Sequence, residues 1–156
     1  MALEIERKFL VDHKLFKPTS KGVKIYQLYL KREATHSVRL RIMGPKAFFT
    51  IKTTISELVR NEFEYEIPEK DAREMFELFR EMPSVEKIRF HENIDGDIWV
   101  IDQFLGRNKG LLLAEIELPS VDAAFSKPEW LLNEVTSNNR YHNSNLAVNP
   151  INEQKL

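Results

Sequence analysis

A chain of 156 residues is long enough to bury roughly two thirds of the surface its unfolded form exposes, and too short for two large domains, so 1–156 is expected to form a single domain. Its 23 basic and 24 acidic residues nearly cancel, and a net charge of −1 supplies no global field to draw in nucleic acid or an anionic membrane. The absence of cysteine excludes disulfides, thiolate metal sites and cysteine nucleophiles.

The start, Met1-Ala2-Leu3-Glu4-Ile5-Glu6, places two acids where a signal peptide needs an apolar core, and no apolar run approaches the roughly 18 residues of a membrane span. A cytoplasmic protein is expected. From Leu3 to Leu118 the chain falls into short segments of period-2 polarity, the pattern of antiparallel strands with two unlike faces. Eight are predicted, at 3–11, 23–31, 37–43, 47–54, 59–67, 84–92, 97–104 and 111–118, with turns at 43–46 and 93–96 where Gly and Pro cluster. One helix, over 69–82, interrupts them: Ala72, Met75, Phe76, Phe79 and Met82 keep helical spacing after Pro68, and Pro83 closes the pattern. Beyond Pro119 the periodicity weakens into a covering tail, with a turn of helix expected at 121–125, a Trp130-containing segment at 128–132 and a polar stretch at 136–145. The fold class is therefore mainly β (α+β).

The strands sort their charges. The first sets Leu3, Ile5, Phe9 and Val11 on one face, with Arg7 the exception, and Glu4, Glu6 and Lys8 on the other. Arg39 and Arg41, Lys52, Glu62 and Glu64, Lys87 and Arg89, and Glu115 and Glu117 repeat that division in later strands. A solvated sheet face usually mixes its charges, whereas here like charges stand two residues apart, about 7 Å along one face, where they repel. Such blocks make sense when cations sit among the acids and anions among the bases, which points to a divalent metal and a polyanion together. Eight antiparallel strands can close into a barrel with that charged face inward. Such an interior is costly if dry and so forms a wet, ligand-binding tunnel. The apolar face then needs outside cover from the helix and the tail.

At Glu4-Ile5-Glu6-Arg7-Lys8 the chain resembles the CYTH superfamily, the triphosphate tunnel metalloenzymes, whose hallmark is Glu-x-Glu-x-Lys near the N-terminus. Gln27-Leu28-Tyr29-Leu30, Val38-Arg39-Leu40-Arg41, Thr50-Ile51-Lys52, Arg60 to Glu66, Lys87-Ile88-Arg89-Phe90, Ile101-Asp102 and Ala114-Glu115-Ile116-Glu117-Leu118 follow in the family's order. The resemblance implies a closed eight-stranded antiparallel tunnel, with a few covering helices, that binds triphosphate with magnesium or manganese, two ions per site. It makes Glu4, Glu6, Asp102, Glu115 and Glu117 the metal-binding carboxylates and Lys8, Arg39, Arg41, Lys52, Lys87 and Arg89 the phosphate clamp. It also makes Lys52 and Tyr29 candidates for helping the attacking or leaving oxygen, and leaves Glu62 and Glu64 as acidic lining of unassigned role. Arg60 is inward by parity, either a further lining base or a salt-bridge partner of Glu62 or Glu64.

Within that family the short chain most resembles bacterial members that hydrolyse inorganic triphosphate to pyrophosphate and phosphate. The alternatives are an organic triphosphate enzyme (adenylyl cyclase, thiamine triphosphatase or nucleoside triphosphatase) and a noncatalytic polyphosphate- or nucleotide-binding module. The expected partner is a small polyanion, with no specific nucleic acid and no membrane, and a homodimer is the one assembly left open. His13, His36, His91 and His142 lack ligand spacing and read as surface or packing residues, Trp99 and Trp130 as core or cover, the 106–110 segment as a hairpin connection, and Arg140 as a candidate to close over the tunnel mouth.

Overall fold

The computed structural model describes residues 3–153. Eight strands, β1 (Leu3–Val11), β2 (Val23–Arg32), β3 (His36–Met43), β4 (Lys46–Thr54), β5 (Val59–Ile67), β6 (Ser84–Ile94), β7 (Asp97–Phe104) and β8 (Leu112–Glu117), follow the predicted series closely. They pair antiparallel in the order β5-β4-β3-β2-β6-β7-β8-β1, and β1 returns to β5 to close the barrel. That closing seam is short: Leu3, Glu4 and Ile5 face Asn61, Arg60 and Val59, and Glu6 N–H donates to Leu58 C=O at 3.2 Å. The β6–β7 hairpin turns on Asp95 and Gly96, both at positive φ (54° and 91°), as a two-residue type I′ turn demands. No helix of the described residues is long and apolar enough to cross a membrane.

The tail departs from expectation in two ways. Residues 121–125 form a turn rather than a helix, and 131–134 add a ninth strand, β9 (Leu131–Glu134), on the edge of β1 opposite β8, beyond its pairing with β5. The helix α1 (Glu69–Leu78) stops earlier than the apolar spacing suggested: Met82 N–H bonds Phe79 C=O, so 79–82 turn the chain toward β6, and Pro83 bars a helical Met82. Ala72, Met75 and Phe76 pack α1 on Leu40, Ile42, Ala47 and Phe49 of β3 and β4, while Phe79 remains 41% exposed.

A second outer cluster joins Phe9, Val11, Trp99, Ile101, Ala114 and Ile116 from β1, β7 and β8 to Phe16, Trp130 and Phe125 of the connecting segments, with rings edge to face. Trp99 and Trp130 are thus core, as expected. Cover is incomplete: on the outer side of β4 and β5, Ile51, Phe63 and Tyr65 stay 40%, 37% and 62% exposed. Among the described residues, part of the tail after β9 turns inward. Val135, Leu146 and Ala147, the last two at the end of α2 (Asn143–Leu146), pack on Tyr29, Val85, Phe104 and Leu113 and fill one end of the barrel.

Candidate active site

Strand alternation delivers the charged side chains to one lumen. A cavity of about 230 Å³ is lined by six acids (Glu4, Glu6, Glu62, Glu64, Glu115 and Glu117) and seven bases (Lys8, Arg39, Arg41, Lys52, Arg60, Lys87 and Arg89), with Tyr29 and Thr50 beside them. Arg7, one residue away from Glu6 and Lys8, points out instead: its Nη2 donates to Val121 C=O at 3.1 Å, and its guanidinium lies 5.8 Å from the Phe125 ring centre. The register explains the clustering. Glu6 stands directly opposite Glu117 and Lys8 opposite Glu115 across β1 and β8, Lys52 opposite Glu62 across β4 and β5, and Arg89 opposite Asp102 across β6 and β7.

Three of the acids, Glu4, Glu6 and Glu117, are held toward their protonated forms. Burial, then the charge of Glu115, pushes the Glu6 carboxyl up to about 8. Glu4 is raised chiefly by burial against the pull of Lys52, and Glu117 by burial and the neighbouring Glu4. Glu4 and Glu62 hydrogen-bond carboxyl to carboxyl, as do Glu6 and Glu115. Acid pairs that must share protons are a place where a divalent cation fits. Among the described residues no three acidic or histidine side chains already form a closed cage.

Opposite them stands the basic wall. Lys52 Nζ sits 3.0 Å from Glu4 and 3.2 Å from Glu62, and although burial opposes its charge, Glu6 and Glu4 raise its pKa. Lys8 is 3.4 Å from Glu115; burial works against ionisation of Glu115, but Lys8, Lys87 and Arg89 outweigh it and hold its pKa well below the usual carboxylate range. Arg39 reaches Thr50 and Glu64, at 3.2 and 3.4 Å, and its buried Nε has no acceptor. Arg41 spends Nε and Nη2 on Gln27 Oε1 (2.9 and 2.6 Å), and burial with its neighbours Arg39 and Arg89 lowers it to about 9, so it stays charged at neutral pH.

Asp102, expected among the metal-binding carboxylates, is engaged in ion pairs. It is 1% exposed, its Oδ1 accepts from Arg89 Nε at 2.8 Å, and its Oδ2 accepts from Arg89 Nη2 at 2.9 Å and Lys87 Nζ at 2.7 Å. Both oxygens are taken by cations. Burial opposes its charge, but Arg89 and Lys87 hold its pKa far below the carboxylate range. Lys87, sharing that one carboxylate with Arg89, cannot recover its burial cost and falls to about 7.

Sequence reading missed the contribution of the polar tail. His142, Asn143 and Ser144 line the cavity, Tyr141 C=O accepts from Lys8 Nζ at 3.2 Å, and Asn143 Oδ1 accepts from Lys87 Nζ at 2.9 Å. Burial and the charge of Lys8 lower the His142 ring to about 4, so it is neutral at pH 7. Arg140 lies against the Tyr141 ring, 5.9 Å from its centre. A wider vestibule of about 640 Å³ adjoins the lumen through Ser37, Lys52, Arg60, His142 and Ser144.

Residues 2–147 match the family described as CYTH domain. The chain is 45% identical over 150 residues to an inorganic triphosphatase of Acetivibrio thermocellus, covering 96% of each, and 37% identical over 153 residues to one of Nitrosomonas europaea, covering 93% of this chain and 97% of the other. It is also similar to the crystal structure of the inorganic triphosphatase NE1496, with a TM-score of 0.68 and 34% identity over 95% of this chain and 96% of that one. With nearly the whole chain matched and the paired acids and bases gathered in one barrel lumen, this protein belongs to the CYTH-domain family.

Proposed function

We propose that the protein hydrolyses inorganic triphosphate to pyrophosphate and phosphate in the barrel lumen, with a divalent metal, magnesium or manganese, two ions per site. The observation behind this reading is the opposition of crowded acids and a basic wall across one cavity of about 230 Å³. A lining of seven bases and six acids is almost neutral, so a highly charged phosphate chain enters favourably only with cations of its own. The cavity volume lies below the roughly 300–1,000 Å³ common for organic ligands, which favours a compact polyanion.

Glu4, Glu6, Glu115 and Glu117 would hold the metal, which when bound neutralises phosphate oxygens and lowers the pKa of coordinated water. Lys8, Arg39, Arg41, Lys52, Lys87 and Arg89 grip the phosphates, the arginines as planar forks and the lysines as point charges. Asp102 acts at one remove, fixing Lys87 and Arg89 in place. The attacking water oxygen bonds to the terminal phosphorus as its bond to the bridging oxygen breaks, and pyrophosphate leaves. Lys52 and Tyr29 supply hydrogen bonds to the oxygens that gain charge, while Glu62 and Glu64 hold Lys52 and Arg39.

The vestibule is where an organic triphosphate would place its nucleoside or thiamine, and its lining is polar and charged, with Arg32, Glu33, Glu57 and Arg60 among it. The test is phosphate release from inorganic triphosphate, ATP, thiamine triphosphate and pyrophosphate, with and without added metal, and cyclic AMP measured in parallel. Metal-dependent turnover confined to inorganic triphosphate is the expected result. Equal saturated rates on ATP, or turnover that survives chelation, overturns it.

A further inference from the structure

Gln27 has no charge and no exposure to solvent, yet it joins the basic wall to the tail. It faces Arg41 across β2 and β3, and its Oε1 accepts both Arg41 Nε and Nη2, at 2.9 and 2.6 Å. The oxygen is thereby assigned, because guanidinium only donates, and the other end of the carboxamide must be the nitrogen. Gln27 Nε2 then donates to the Tyr29 hydroxyl at 3.2 Å and to Asn143 Oδ1 at 3.5 Å. Asn143 Oδ1 is oriented in the same way by a second donor, Lys87 Nζ.

These directions fix what Tyr29 presents. A phenol oxygen that accepts from Gln27 keeps its own hydrogen for another acceptor, and Tyr29, 4% exposed, lines the cavity. With Nε and Nη2 anchored on Gln27, Arg41, which also lines the cavity, keeps Nη1 outside that contact. We propose that Gln27 is a positioning residue for phosphoryl transfer: it aims the Tyr29 hydroxyl hydrogen at a phosphate oxygen and holds the Arg41 fork in its binding orientation. This rests on the reading that the lumen takes inorganic triphosphate.

The two jobs separate kinetically. Without Gln27 the Tyr29 hydroxyl turns freely, so the catalytic step slows, while a loosened Arg41 weakens binding. Gln27→Met, close in length and unable to hydrogen-bond, lowers kcat by about tenfold, the scale of one hydrogen bond, and raises KM severalfold. In a Tyr29→Phe background the same substitution leaves kcat within about twofold, because the group it aims is gone, but still raises KM. A residue that only supports the fold would cost the same factor in kcat in both backgrounds. The experiment is this double-mutant cycle on triphosphate with saturating magnesium. Should Gln27→Met fail to fold, Gln27→Glu serves the same cycle: its carboxylate keeps the Arg41 contact and cannot donate to Tyr29. An undiminished kcat loss in the Tyr29→Phe background, or no kcat loss in either, overturns the role of Gln27 while wild-type hydrolysis leaves the substrate reading intact. A wild-type protein inactive on triphosphate with metal takes down both.

Discussion

Asp102→Asn keeps the shape of a side chain that is 1% exposed and removes the carboxylate that is ion-paired with both Arg89 and Lys87. Removing one partner of a buried ion pair costs about 3–5 kcal/mol, because the remaining charge has neither water nor a counter-ion. Arg89 cannot shed its proton, but Lys87, already brought to about 7 by burial, can, and this relief sets the expected loss near the lower end, about 3 kcal/mol. In a domain of this size each kcal/mol moves the melting midpoint by about 2–4 °C, so Tm should fall by about 6–12 °C. The substrate's phosphates compete with Asp102 for the same two cations. A nonhydrolysable triphosphate analogue with magnesium should therefore raise Tm more in the variant than in the wild type. Thermal melts of both proteins, with and without the analogue and across a magnesium titration, check this. A Tm loss under about 2 °C refutes the energetics. A smaller ligand increment with a metal requirement shifted to higher concentration shows instead that Asp102 binds the metal.

Arg39→Ala and Arg41→Ala should each weaken binding of the triphosphate analogue by about ten- to a hundredfold, the worth of a charge-assisted contact, while Arg7→Ala on the outer face leaves affinity within about twofold; isothermal titration of the three variants decides. The raised Glu6 carboxyl carries a pH signature. Its folded value, about 8, lies above its ordinary 4.5, so its contribution to stability is complete below pH 4.5 and is lost as pH rises to 8. Metal-free Glu6→Gln should accordingly melt higher than the wild type at pH 8 and gain little from added magnesium, as melts at pH 5 and pH 8 would reveal. His142 works at the acid end: with a folded value near 4 against an ordinary 6.5, the unfolded chain binds the proton first and stability falls from pH 6.5 toward 4, a slope that His142→Gln should flatten in acid melts. Trp99→Ala, at a position with no exposed surface in the edge-to-face aromatic cluster, should cost about 3–5 kcal/mol by denaturant unfolding.

The eight strands were legible because alternation is local: Glu4, Glu6 and Lys8 share a face wherever the strand is placed. The inward sense of that face was legible from like charges set two apart. The role of Asp102 was not, since it depends on which residue the next strand sets opposite, and a position between Ile101 and Gln103 carries no mark of Arg89. Gln27 was hidden in the same way, as a neutral residue in a largely apolar strand whose importance lies in two hydrogen-bond directions. The tail resisted most. Residues 136–145 have no periodicity because they form short turns held by distant partners, such as Thr136 Oγ1 on the backbone N–H of Lys8 and Tyr141 C=O on Lys8 Nζ. The stop of α1 at Leu78 is likewise set by the path into β6, which spacing alone does not record.

The pairing of β1 with β8 bears on how such a chain can change over generations. Glu6 against Glu117 and Lys8 against Glu115 alternate strictly with Arg7 against Ile116 and Phe9 against Ala114. A substitution alters one of these pairs. Loss or gain of a single residue within β1 moves every later side chain of the strand to the opposite face, putting aromatic and aliphatic groups in the wet lumen and carboxylates in the aromatic cluster. Insertions and deletions should therefore be confined to exposed connections such as 55–57, and the strands should keep their lengths while their sequences drift. A library of one-residue deletions scored for soluble expression would show this as long intolerant stretches coinciding with the strands, including positions where many substitutions are harmless.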